Sequence, residues 1–112
     1  MTRGVGLMAV LIAALAWGQA SAGNAENGKK VFVKFGCYTC HGYQGQGGSA
    51  GARLAPKPIA VAALIAYVRH PSGSMPPFTD KVISNAELTD IHAYLASIPP
   101  PPAVKDIPLL NQ

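Results

Sequence analysis

The chain has 112 residues, with nine Lys and Arg against five Asp and Glu and only two cysteines. That length holds one small domain. The net charge of +4 comes with no long basic run and few aromatics near the lysines, which sets nucleic-acid binding aside. The start of the chain reads as a leader. Arg3 precedes an apolar run from Val5 to Trp17, and Ala20-Ser21-Ala22 follows as a small-x-small cleavage site. The run is short for a membrane span, the rival reading being an uncleaved anchor. The expected organisation is a signal peptide over 1–22, a folded domain over 23–98 and a Pro-rich tail over 99–112. Cleavage removes Arg3 and leaves a net of +3. No later stretch is long enough to cross a bilayer.

Residues 25–35 are predicted to form the first helix. Asn24 can cap it, Glu26 suits its first turn, and Val31, Phe32 and Phe35 recur at helical spacing. Gly28 and Phe32 share a face, and Gly36 is a natural stop. Cys37-Tyr38-Thr39-Cys40-His41 follows. Two cysteines separated by two residues and followed at once by histidine are the attachment pattern of a c-type haem. Each thiol can add to one vinyl group, and the histidine is then tethered where its imidazole can reach the iron. A thioredoxin-like pair would want a βαβ context, which is not visible. A zinc site would need a second ligand pair, and His70 and His92 lie too far apart in sequence to supply one.

The block resembles the haem-binding signature of class I c-type cytochromes, and the resemblance extends over roughly residues 25–98. It implies that Gly28 and Phe32 meet the last helix. Beyond His41, five glycines in ten residues (Gly42 to Gly51) predict a loop. Gly51-Ala52-Arg53-Leu54 resembles the family's Gly-Pro-x-Leu segment, with Ala52 where proline is usual. The resemblance implies that the Ala52 carbonyl accepts the proximal histidine's N–H and that Leu54 packs on the haem. Arg53 is either a propionate partner or a solvated loop charge. Pro58 can open a second helix running from Ile59 to Arg69, apolar enough to read as a buried core helix. Pro71 ends it and leaves His70 extended.

Met75 is the one methionine after the leader, in Ser72-Gly73-Ser74-Met75-Pro76-Pro77-Phe78. This resembles the family's Met-Pro loop, which implies Met75 as the second axial ligand beside His41. A gap-filling Met and His70 as ligand are the alternatives. Ser84-Asn85-Ala86-Glu87 is a capping box, opening a helix with Leu88, Ile91, Tyr94, Leu95 and Ile98 on one face and His92 on the exposed one. Four prolines at 99–102 require extended polyproline II. The tail beyond them carries Ile107, Leu109 and Leu110 with little to organise it.

The resemblance implies an all-α, small cytochrome c fold: three to four helices around one covalent haem c. The cofactor-binding set is Cys37, Cys40, His41, Met75, Ala52, Arg53 and Leu54, with His41 and Met75 on the metal. The implied function is one-electron transfer in the periplasm, as a free carrier or as the cytochrome subunit of a periplasmic dehydrogenase. The resemblance implies an electron-transfer protein rather than an enzyme. Its redox partners are expected to be such a dehydrogenase and a respiratory acceptor. The alternative is a haem-based sensor or peroxidase-like enzyme with an open iron site, which needs Met75 unbound.

Overall fold

Asn24 starts the first helix by accepting a hydrogen bond from the Asn27 N–H on its side chain, 2.9 Å away. The computed structural model describes residues 23–112; the leader expected over 1–22 lies outside them. Helix α1 spans Ala25–Lys34, with Phe35 as its cap, and Gly36 follows at φ +73°, a left-handed stop that suits glycine. A single helical turn, α2 (Tyr38–His41), follows directly. Helix α3 spans Val61–Arg69 and α4 spans Asn85–Ser97. The described residues hold no strand, and the fold is all-α, as the resemblance implies. None of their helices is long and apolar enough to cross a membrane.

The core is built where α1 crosses α4. Val31, Phe32, Leu88, Ile91, Tyr94 and Leu95 are all buried, joined by Ala55, Leu64 and Ile83. Gly28 permits the crossing: a Cβ there would overlap the Asp90 carbonyl. One helical turn on, the Phe32 and Tyr94 rings meet at a centroid distance of 5.7 Å and an angle of 59°, a tilted arrangement that aromatic quadrupoles favour. Thus the pairing of Gly28 and Phe32 with the last helix is present. At the rim, Asp90 accepts from the Asn24 N–H and from the Asn27 amide, both at 2.7 Å. The capping box of α4 is complete: Glu87 N–H donates to Ser84 Oγ at 3.1 Å, and Ser84 N–H donates to the Glu87 carboxylate at 2.8 Å.

Four expectations need correction. Helix α3 starts at Val61, not at Pro58. Ala60 is still extended (φ −50°, ψ 143°) and carries no side-chain cap bond. The first closing bond runs from Leu64 N–H to Ala60 O at 2.9 Å, because no residue near Pro58 can cap an earlier turn. Nor is α3 a buried core helix. Only Leu64 is buried on it, while Tyr67 is 44% exposed; a short helix against one neighbour buries one stripe. His92 is half-buried rather than exposed, as α4 has neighbours on more than one side. The tail is organised after all. Two 3₁₀ turns, Val104–Asp106 and Pro108–Leu110, are closed by the Asn111 amide, which donates to Val104 O and Ile107 O, each at 2.8 Å.

Candidate functional site

Helix α2 explains the cysteine spacing. Cys37 is its cap, in right-handed helical conformation, and Cys40 and His41 lie within the turn. Residues three and four apart face the same way on a helix, so two thiols and an imidazole share one side of a single turn. Both cysteines are free, Cys37 half-buried and Cys40 exposed. Burial pushes the Cys37 thiol up from its ordinary value, partly offset by a hydrogen bond from its own backbone. Thr39 pins the turn by donating from its hydroxyl to Gly36 O at 2.6 Å.

The glycine-rich loop returns to this turn and holds the histidine. His41 Nδ1 lies 2.7 Å from the Ala52 carbonyl. A carbonyl only accepts, so Nδ1 carries the hydrogen, and in the neutral ring Nε2 is the nitrogen with the lone pair. Gly51 makes the approach possible: a Cβ on it would stand 2.8 Å from the Cys40 carbonyl oxygen and 3.0 Å from His41 Nδ1. The loop is tied by Gly47 N–H to His41 O at 2.8 Å and by Leu54 N–H to Gly45 O at 2.7 Å. Leu54 packs half-buried on the core. Arg53 is exposed, and its Nε reaches Gln46 O only at 3.4 Å, which leaves the guanidinium tip at the surface.

Met75 sits half-buried in the segment joining α3 to α4, and His70 is exposed at the end of α3. Several residues of this region carry no local signal. Tyr38, from between the two cysteines, stacks on Tyr43 with centroids 4.3 Å apart and planes at 17°. Tyr94 donates from its hydroxyl to Tyr43 O at 2.6 Å, which ties α4 to the loop after His41. Arg69 binds three oxygens across the Met75 segment. The only hint of Arg69's role in the sequence is a lone arginine at the end of an apolar helix.

A haem fits these residues: two thiols on one face, and beside them an imidazole whose far nitrogen is left with its lone pair. A family model described as cytochrome c oxidase, cbb3-type, subunit III, matches residues 23–95. The chain belongs to this cytochrome family. No curated protein and no solved structure matches the chain. The cytochrome therefore carries covalently bound haem c, transfers electrons through it and works with redox partners.

Proposed function

We propose that Cys37 and Cys40 carry the haem through two thioethers, that His41 and Met75 are its axial ligands, and that the cytochrome moves single electrons in the periplasm. The observation that carries this is the His41 ring, locked by its Nδ1–H to the Ala52 carbonyl at 2.7 Å on the same helical turn as two free thiols. The bound haem supplies one-electron ferric–ferrous chemistry. The residues do the rest. The thiols fix the group to α2, and the Ala52 carbonyl orients the imidazole and raises its basicity. Held by the Met75 thioether together with His41, the group would favour its reduced form. With His41 and Met75 both holding the iron, no site on it would be left for a substrate.

The partners are a periplasmic dehydrogenase as donor and a respiratory acceptor, with the cytochrome acting as carrier or as the dehydrogenase's subunit. The family's description names an oxidase subunit, which supports an acceptor of the respiratory chain. Acid–acetone extraction is the test of attachment: the colour stays with the protein, and replacing either cysteine weakens its retention. Freely extracted haem would end the reading. For Met75, the ferric protein shows a weak far-red sulfur-to-iron band that Met75→Ala removes, with a lowered potential. Tight carbon monoxide or cyanide binding by the untreated protein would favour an open-site sensor or peroxidase instead.

A further inference from the structure

Residues 70–84, between α3 and α4, contain neither helix nor strand, yet they hold Met75. Such a segment keeps a side chain in place only if its own limbs are tied down. Both limbs are tied to the last turn of α3. On the outgoing limb, the Tyr67 hydroxyl and Ser72 Oγ are 2.9 Å apart. On the returning limb, Phe78 N–H donates to Val68 O at 3.1 Å, and Arg69 Nη1 donates to Phe78 O at 2.9 Å. Met75 lies between these two ties.

Arg69 does more than close that ring. Its Nη2 donates to Ile83 O at 2.8 Å and to Asn85 Oδ1 at 2.7 Å. One guanidinium thus joins the end of α3, the returning limb after Met75 and the first turn of α4. All three acceptors are neutral oxygens, so no acidic partner accounts for this arginine. A planar fork with several fixed donors can bridge separate segments at once; an ammonium on a flexible stem cannot hold the same set. Each of these bonds is charge-assisted, the stronger class of hydrogen bond, and the two to Phe78 O and Ile83 O are partly shielded from water.

We propose that Arg69 is a positioning residue for Met75: by holding the two ends of the 70–84 segment together, it sets how readily Met75 leaves the iron. The proposal rests on Met75 being the sixth ligand. It predicts that exogenous ligands, which bind only when the methionine moves away, compete better once the clamp is weakened.

The test is imidazole and cyanide titration of the ferric holoprotein, together with its far-red band. Arg69→Lys keeps the charge and loses the fork. Imidazole affinity should rise by about tenfold, the low end of what one charge-assisted hydrogen bond represents, and the far-red band should weaken. Asn85→Ala, which removes one acceptor, should shift affinity in the same direction by less. It also serves if Arg69→Lys yields no holoprotein. Asp90→Ala loosens the α1–α4 rim elsewhere and should leave imidazole affinity at the wild-type value. Wild-type affinity in both Arg69→Lys and Asn85→Ala, while Met75→Ala raises it, overturns the clamp and keeps the ligand. Equal shifts in the Arg69 and Asp90 variants reduce Arg69 to general stability and also overturn it. A Met75→Ala protein with unchanged band and affinity removes the ligand reading itself, and the clamp with it.

Discussion

His41 is oriented by a backbone carbonyl rather than a side chain, so the residues that matter around it are those that control where the backbone goes. Gly51 is the sharpest case. Its φ is not in the left-handed region, so alanine strains nothing there by itself. The obstacle is space: the new Cβ would meet the Cys40 carbonyl carbon at 2.9 Å and His41 Nδ1 at 3.0 Å, and the strand of loop carrying Ala52 must back away. The Nδ1–H bond then lengthens and the imidazole becomes a weaker base. A weaker base supports ferric iron less, so Gly51→Ala should raise the midpoint potential. A redox titration checks the sign; a fall would mean that the Ala52 carbonyl does not tune the ligand. Ala52 holds the imidazole without the rigidity of a proline, since the contact uses only an oxygen every residue has.

Helix α1 is held to α4 by shape at one position and by polar bonds at another. At Gly28 any side chain collides with the Asp90 backbone. Gly28→Ala should therefore cost about 1–3 kcal/mol or more in chemical denaturation of the holoprotein, despite alanine's better helix propensity. An unchanged midpoint would show that the helices part cheaply. At the rim, the Asn27 amide and, secondarily, the Asn24 N–H hold the Asp90 carboxyl below its ordinary value. The unfolded chain then binds its proton more readily than the folded one, so the contribution is present above the unfolded value of about 3.9 and is lost as pH falls through the lower folded value. Stability of the wild type should drop below about pH 4 more steeply than that of Asp90→Ala. The carboxylate is at the surface, so the difference is small. Parallel acid limbs for the two proteins would remove Asp90 from the balance.

At the scale of the whole molecule, the contacts of the described residues thin out beyond Ile98. Ile98 packs on the core, and Pro99 and Pro101 border a shallow groove with Gln44, Gln46, Arg53 and Pro56. Beyond them the chain leaves its apolar side chains in solvent: Leu109 is 80% exposed and Val104 66%. Truncation after residue 102 should leave haem content and spectrum intact and change stability by no more than about 0.5 kcal/mol. A much earlier thermal transition in the shortened protein would show that the tail covers the domain. Lys29, Lys30, Lys34, Lys57 and Lys81 are all exposed, and Lys30 is already engaged with Glu26 at 3.1 Å, so electrostatic steering of partners is modest.

What the sequence determined by itself is local. The capping side chains of Asn24 and Ser84, the stop at Gly36, the three-residue spacing of the thiols with histidine beside them and the apolar stripe of α4 each act within one or two turns, where neighbours along the chain are neighbours in space. The turn α2 is just as local but went unread, as it is one turn long and its cap, Cys37, makes no side-chain bond. The start of α3 went unread because no side chain marks it. The tertiary structure alone decided the rest: the Asp90 bonds to Asn24 and Asn27, the reach of Tyr94 to Tyr43, the stacking of Tyr38 on Tyr43 and the three-way grip of Arg69. These join residues as many as 66 positions apart. An arginine or an aspartate at the surface of a helix has the same local pattern whether it meets water or another segment. Which of the two it meets depends on how the helices cross, and that crossing is set by the fit of Gly28 against α4.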